Sequence, residues 1–201
     1  MSDPPLQVLM VCTGNICRSP MMERILRAAL NRHGAGNAVA VSSAGTWAQA
    51  GELMQPFATS TLTERGVDAG GFAATPLTDE LLRSSDLVVT ATREHRAQVV
   101  GLVPGTVRRT FTLLELASIA GSAPTTPDPA PADQAARARQ AVAWAAQMRG
   151  SISRHVEGAD DLGDPLGAPA QVYRQRADTI TEAVEQIVPF LIGGQRATPS
   201  G

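Results

Sequence analysis

The sequence predicts an α/β fold, an open doubly wound parallel sheet with helices on both faces. Three observations carry this. Short apolar runs, partly β-branched, alternate along the chain with segments of helical spacing. The first run, Leu6 to Val11, has nothing polar after Gln7, as a strand buried on both faces requires. The chain has 201 residues, 43% of them hydrophobic, which suffices for one sizeable core.

The elements follow in order. Leu6–Val11 is the first strand. Met22, Ile25, Leu26, Ala29 and Leu30 then recur at helical spacing, and Gly34 supplies a stop. A second strand lies near Ala38–Ser42, and a helix over Pro56–Arg65 ends at Gly66. A short helix covers Thr78–Arg83, a third strand Leu87–Thr92, and the next helix runs to about Val100. A fourth strand near Arg108–Phe111 leads into a helix through Leu116. Residues 117–159 are rich in proline and alanine. Pro124, Pro127, Pro129 and Pro131 mark a surface loop, and Ala132–Gln147, with Val142, Ala145 and Met148 at helical spacing, marks a helix. The last helix starts near Gln171, with Ala177, Ile180, Val184, Ile187 and Leu191 on one face and Pro189 as a site for a kink. Residues 1–192 therefore form one domain, and 193–201 a disordered tail.

Residues Cys12 to Pro20 read CTGNICRSP. A cysteine, five loop residues and an arginine, set between a strand and a helix, describe a pocket for a phosphate-sized anion with a thiol at its floor. Ser19 is placed as N-cap and Pro20 at the first helical position. Backbone N–H groups without partners gather at such a helix start, and the helix dipole adds partial positive charge. Gly14 allows the tight backbone that wrapping an oxyanion needs. Cys12 is then the nucleophile, its thiolate stabilised by the helix start and by Arg18. Arg18 presents a planar fork to two phosphoryl oxygens. Ser19 donates its hydroxyl to the sulfur and assists its departure. Asn15 is expected to bond loop backbone and hold the curve. The phosphate-binding candidates are thus Thr13, Gly14, Asn15, Ile16, Cys17, Arg18 and Ser19.

VCTGNICRSP resembles, at nearly every position, the signature loop of the low-molecular-weight protein tyrosine phosphatases. Ser43-Ala44-Gly45-Thr46 is similar to that family's SAGT after the second strand. Residues 87–95, LVVTATREH, resemble its third strand running into the next helix, and Asp164-Pro165 resembles its Asp-Pro loop. The likeness covers most of 6–116 and 164–192. It implies the strand order 2-1-3-4, a cysteinyl-phosphate mechanism, and neither metal nor cofactor. Beside compact members of that family, 117–159 is an insertion, and no chemistry is visible in it.

A phenolate leaves poorly unless it is protonated as the P–O bond breaks, so a carboxylic acid is needed near the thiol. Three Asp-Pro dipeptides compete. Asp3 lies in the leading tail, and Asp128 in the proline-rich loop. Asp164 comes shortly before the final helix, where the family places its acid, and it is the choice. Asp160 and Asp161 beside it read as a solvated acidic turn. Many family members carry an aromatic residue just after Asp-Pro as one wall of the substrate cleft; here the residue is Leu166. Trp47, just after SAGT, either forms the other wall or packs against a loop.

Cys17 is the only other cysteine. Two readings stand for it, a reversible disulfide with Cys12, as in some family members, or a thiol packed under the loop. Two cysteines make no disulfide scaffold and suit a reducing cytoplasm. The net charge of −2 gives no support for binding nucleic acid or an anionic membrane. All 17 basic residues are arginine. Met1 to Pro5 is polar and the apolar run after it is short, so neither a signal peptide nor a bilayer span is expected. His33, His95 and His155 lack ligand spacing; no metal site is expected, and His95 is assigned to capping or packing.

The expected activity is that of a cytoplasmic phosphatase acting on tyrosine-phosphorylated proteins, with Cys12, Arg18 and Asp164 as its catalytic residues. Two rivals remain. A thiol-dependent arsenate reductase uses the same scaffold, although its thioredoxin-linked form needs cysteines after Cys17, and there are none. A noncatalytic phosphoprotein-binding module would need neither thiol nor acid.

Overall fold

A computed structural model describes residues 3–123, 133–150 and 160–193. Strands β1 (Leu6–Cys12), β2 (Val39–Gly45), β3 (Leu87–Thr90) and β4 (Thr110–Thr112) form one parallel sheet in the order β2-β1-β3-β4. The described helices are α1 (Arg18–Arg32), α2 (Pro56–Glu64), α3 (Asp79–Ser84), α4 (Arg93–Leu102), α5 (Leu113–Ser122), α6 (Gln134–Met148) and α7 (Ala170–Ile192). A 3-10 turn over Pro104–Arg109 leads into β4. The fold class and the strand order are those expected.

Successive side chains of a strand point to opposite faces, and β1 divides its residues accordingly. Leu6, Val8, Met10 and Cys12 join a cluster with Met22 and Leu26 of α1, Leu116 of α5, and Ile180 and Val184 of α7. Leu9 and Val11 join Leu82 of α3 and Val99 of α4 on the other face. Each fully buried side chain of this size contributes about 1.5–3 kcal/mol. The central strand is thus anchored from both sides, and its carboxyl end holds still.

Several boundaries move, each for a local reason. β2 runs past Ser42 to Gly45, because Ser43, Ala44 and Gly45 pair with Met10, Val11 and Cys12. β3 stops at Thr90, since Thr92 turns to cap α4 by accepting from His95 N. Arg108 and Arg109 close the 3-10 turn instead of opening the fourth strand, and Thr112 with Glu115 forms a capping box for α5. Helix α1 begins at Arg18 with Cys17 as N-cap, so Ser19 is not the cap. Its hydroxyl is engaged elsewhere. Gly34 follows the end of α1 with a φ of 68°, the left-handed stop that favours glycine.

The helix expected inside 117–159 is α6, capped by Asp133. Trp144 meets Phe190 of α7 with ring centroids 5.8 Å apart. Arg149, just past α6, lies 4.0 Å over the Phe111 ring, donates to Val107 O and Thr110 O, and pairs with Glu115 at 3.2 Å. The proline-rich loop with Asp128, and the tail from residue 194 onward, lie outside the described residues.

Candidate active site

Parallel strands deliver their carboxyl ends to one edge of the sheet, and ligands of open α/β sheets bind there. Cys12 ends β1 and Arg18 starts α1, so the loop between them caps that edge. Four of its carbonyls are engaged by N–H groups beyond it. Cys12 O accepts from Thr46 N at 2.9 Å, Thr13 O from Trp47 N at 2.9 Å, Ile16 O from Gln55 N at 2.9 Å, and Cys17 O from Met21 N at 3.2 Å. Among the described residues, no backbone carbonyl accepts from the N–H groups of 13–17. A loop with most of its acceptors engaged elsewhere and its donors left without carbonyls has the polarity of an anion nest.

Asn15 makes the curve. It is fully buried with a φ of 54°, a region that asparagine tolerates better than most residues. Its Oδ1 accepts from Thr75 N at 2.8 Å, and its Nδ2 donates to Ser19 Oγ at 2.8 Å and Ser43 Oγ at 2.9 Å. Neighbouring segments, not loop backbone, are therefore its partners. Gly14 does not take a positive φ. The glycine that the loop cannot do without is Gly45. A Cβ there would stand 2.4 Å from Thr13 O, 2.8 Å from Asn15 N and 2.9 Å from the Ala48 Cβ.

Cys12 Sγ lies 3.0 Å from Ser19 Oγ. Arg18 is 5% exposed. Its Nη2 donates to Asp164 Oδ2 at 2.6 Å, its Nη1 reaches Leu162 O at 3.4 Å, and its Nε is buried with no partner among the described residues. Asp164 reaches Arg18 across 146 positions of sequence because its loop is stitched to the end of β3. Leu162 N donates to Ala91 O at 2.8 Å, Ala91 N donates to Val11 O at 2.8 Å, and Asp161 Oδ1 accepts from Arg93 N at 2.7 Å. Asp161 thus caps α4 and is not a free solvated charge. Asp164 Oδ1 accepts from Leu166 N at 3.1 Å, which fixes the carboxylate's turn.

Trp47 and Leu166 are 82% and 56% exposed. Each is tied to the site through its backbone, Trp47 to Thr13 and Leu166 to Asp164. The Trp47 ring is open to solvent and is not packed away. Among the described residues, no group of three or more His, Cys, Asp or Glu is placed to hold a metal ion.

Both cysteines are free thiols. Cys17 is buried with its Sγ 3.7 Å from Tyr173 Oη, and burial pushes its pKa from 9.0 up to about 11, partly offset by that hydrogen bond. Burial, then the bond to Cys17, raises Tyr173 from 10.0 to about 12. Both groups hold their protons more tightly folded than unfolded. Their stabilisation is complete below about pH 9 and is lost as pH rises toward 12. Urea titrations at pH 8 and pH 10.5 should show the parent losing more stability than Cys17→Ala does. Equal losses in the two proteins would refute this linkage.

The family model of the low molecular weight phosphotyrosine protein phosphatases matches residues 7–144. The protein-arginine-phosphatase of Bacillus subtilis (strain 168) is 37% identical over 188 residues, 92% of this chain and 97% of that protein. Low molecular weight protein-tyrosine phosphatase A of Mycobacterium tuberculosis is 43% identical over 97 residues, 47% of this chain and 57% of that protein. The crystal structure of a low molecular weight protein tyrosine phosphatase from T. tengcongensis superposes with a TM-score of 0.67 at 26% identity, covering 91% of this chain and 97% of that one. The strand order, the loop between β1 and α1, and these likenesses agree: the chain belongs to the low molecular weight phosphotyrosine protein phosphatase family.

Proposed function

We propose that the protein hydrolyses phosphotyrosine in proteins through a cysteinyl-phosphate intermediate. The observation that carries this is the polarity of the 12–18 loop: four of its carbonyls are bonded away from it, and among the described residues its amides at 13–17 meet no carbonyl, around a sulfur and a guanidinium whose buried Nε has no partner there. Cys12 Sγ attacks phosphorus as the P–O bond to the phenol breaks, and Arg18 with the loop amides takes up the charge on the three phosphoryl oxygens. Asp164 gives its proton to the leaving oxygen. It then takes one from the water that attacks phosphorus, the S–P bond breaks, and phosphate departs. Ser19, 3.0 Å from the sulfur, supports the returning thiolate.

The contact between Asp164 and Arg18 sets the order of events. Both groups meet at Nη2, the edge that a phosphoryl oxygen would claim. An entering phosphate competes with the carboxylate for that donor and frees Asp164 for proton transfer. The exposed Trp47 ring and Leu166 offer apolar walls for a phenyl group. Cys17, protonated beneath the loop, serves as packing in the reduced protein.

Asp164→Ala is expected to lower kcat on a phosphotyrosine peptide by about 10²–10⁴-fold. The loss should be smaller on p-nitrophenyl phosphate, whose phenolate leaves without a proton. Equal losses on both would remove Asp164 as the proton donor. Phosphoarginine is a second substrate class, favoured by the near full-length likeness to the Bacillus subtilis arginine phosphatase. Comparing kcat/KM on matched phosphotyrosine and phosphoarginine peptides decides between them. The tyrosine assignment falls if the arginine peptide is preferred.

A further inference from the structure

His95 is buried, and both of its ring nitrogens are engaged. Nδ1 lies 2.6 Å from Thr92 Oγ1, and Nε2 lies 2.8 Å from Thr13 Oγ1. The same Thr13 oxygen accepts from Arg18 Nη2 at 3.5 Å. We propose that His95 is a positioning residue: it fixes the Thr13 hydroxyl, and through it the Nη2 edge of Arg18, at the mouth of the anion loop. The inference rests on that loop receiving a phosphoryl group.

Counting donors gives the direction of each bond. Thr92 Oγ1 already accepts the backbone N–H of His95 as the cap of α4. Its own hydrogen is then best given to Nδ1, which leaves the ring proton on Nε2. Burial, followed by the nearby Arg18 charge, lowers the pKa of His95 and so favours the neutral ring. Nε2–H therefore donates to Thr13. Thr13 Oγ1 now accepts twice, from His95 and from Arg18. Its remaining hydrogen is a free donor on an exposed residue of the loop, available to a phosphoryl oxygen.

The arrangement matters most once substrate has arrived. Among the described residues, Nη2 has two side-chain partners, Asp164 and Thr13. A phosphoryl group displaces the first. Thr13 is then the protein group still steering that nitrogen, and His95 is what steers Thr13. The frame behind them is rigid, because Thr92 and His95 open α4 directly after β3.

Inorganic phosphate, titrated calorimetrically, is a direct probe of the loop. His95→Ala is expected to weaken phosphate binding roughly five- to tenfold, and to lower kcat/KM on p-nitrophenyl phosphate by a similar factor. His95→Gln, whose amide N–H can still reach toward Thr13, should recover most of both. Thr13→Val should cost at least as much as His95→Ala, and the double variant no more than Thr13→Val alone, because His95 acts only through the Thr13 hydroxyl. A purely structural histidine would lower Tm and leave phosphate affinity unchanged. That outcome overturns the proposal, as do losses that multiply in the double variant. Calorimetry needs no turnover. A chain that bound phosphate through His95 and Thr13 yet hydrolysed no ester would sink the phosphatase assignment and keep this one.

Discussion

Cys12→Ser is expected to reduce turnover of p-nitrophenyl phosphate by about 10⁴-fold or more, with the fold intact. The serine oxygen would occupy nearly the same place, close to Ser19 Oγ and over the same loop amides. An alcohol ionises far less readily than a thiol at neutral pH, so attack on phosphorus loses its anion. Stability should change little, within about 1 kcal/mol, because the exchange nearly conserves volume and Ser19 remains as a hydrogen-bond partner. Stopped-time release of p-nitrophenol together with thermal melts would check both halves. Turnover that survives the change would end the assignment of Cys12 as nucleophile.

Gly45→Ala carries the largest expected effect on folding. The added methyl group would meet Thr13 O at 2.4 Å, Asn15 N at 2.8 Å and Ala48 Cβ at 2.9 Å. Two of the three are main-chain atoms of the anion loop, which cannot swing aside as a flexible side chain would. Gly45 is also the terminal ladder residue opposite Cys12, and it exchanges hydrogen bonds with the 75–77 segment through Thr75 O and Leu77 N. Relief by moving β2 would therefore break pairing. Overpacking of this kind costs roughly 1–3 kcal/mol. The loop would shift as well, and a displacement near 1 Å at a reacting centre lowers rate by about 10²-fold. Denaturant melts and kcat measured on the same samples test this. A variant with parental melting and parental kcat would show that the loop yields freely.

The parts of the molecule legible in its sequence are those set by local rules. From Val8 onward β1 is an uninterrupted apolar run that ends in a cysteine, and α1 carries its apolar residues at helical spacing. These place Cys12 and Arg18 without any long-range information. Ser19 reads as a helix cap by residue type, yet the cap is Cys17, because the loop closes earlier and the serine hydroxyl turns to the sulfur. Gly14 looks like the permissive residue, yet Asn15 takes the positive φ, held by Thr75, Ser19 and Ser43 from three separate segments. Asp164 is singled out by likeness to a family. Its approach to Arg18 depends on main-chain bonds from Leu162 to Ala91 and from Ala91 to Val11, which no periodicity encodes. Tyr173 leaves no local signal, and His95 reads locally only as a residue for capping or packing. Each matters only because β1, β3 and α7 meet at the loop.

The guanidinium beyond α6 has a consequence for how this molecule meets others. In a strand, the C=O of one residue and the N–H of the residue two further on face the same side. Thr110 and Thr112 stand in that relation on β4, the last strand of the sheet. Arg149 occupies the Thr110 carbonyl, Glu115 accepts the Thr112 N–H, and the two side chains pair with each other. A foreign polypeptide arriving at that border finds neither an acceptor to receive its amide nor a donor to meet its carbonyl. The inserted segment therefore protects an open flank against edge-to-edge association, the standing hazard of unclosed sheets.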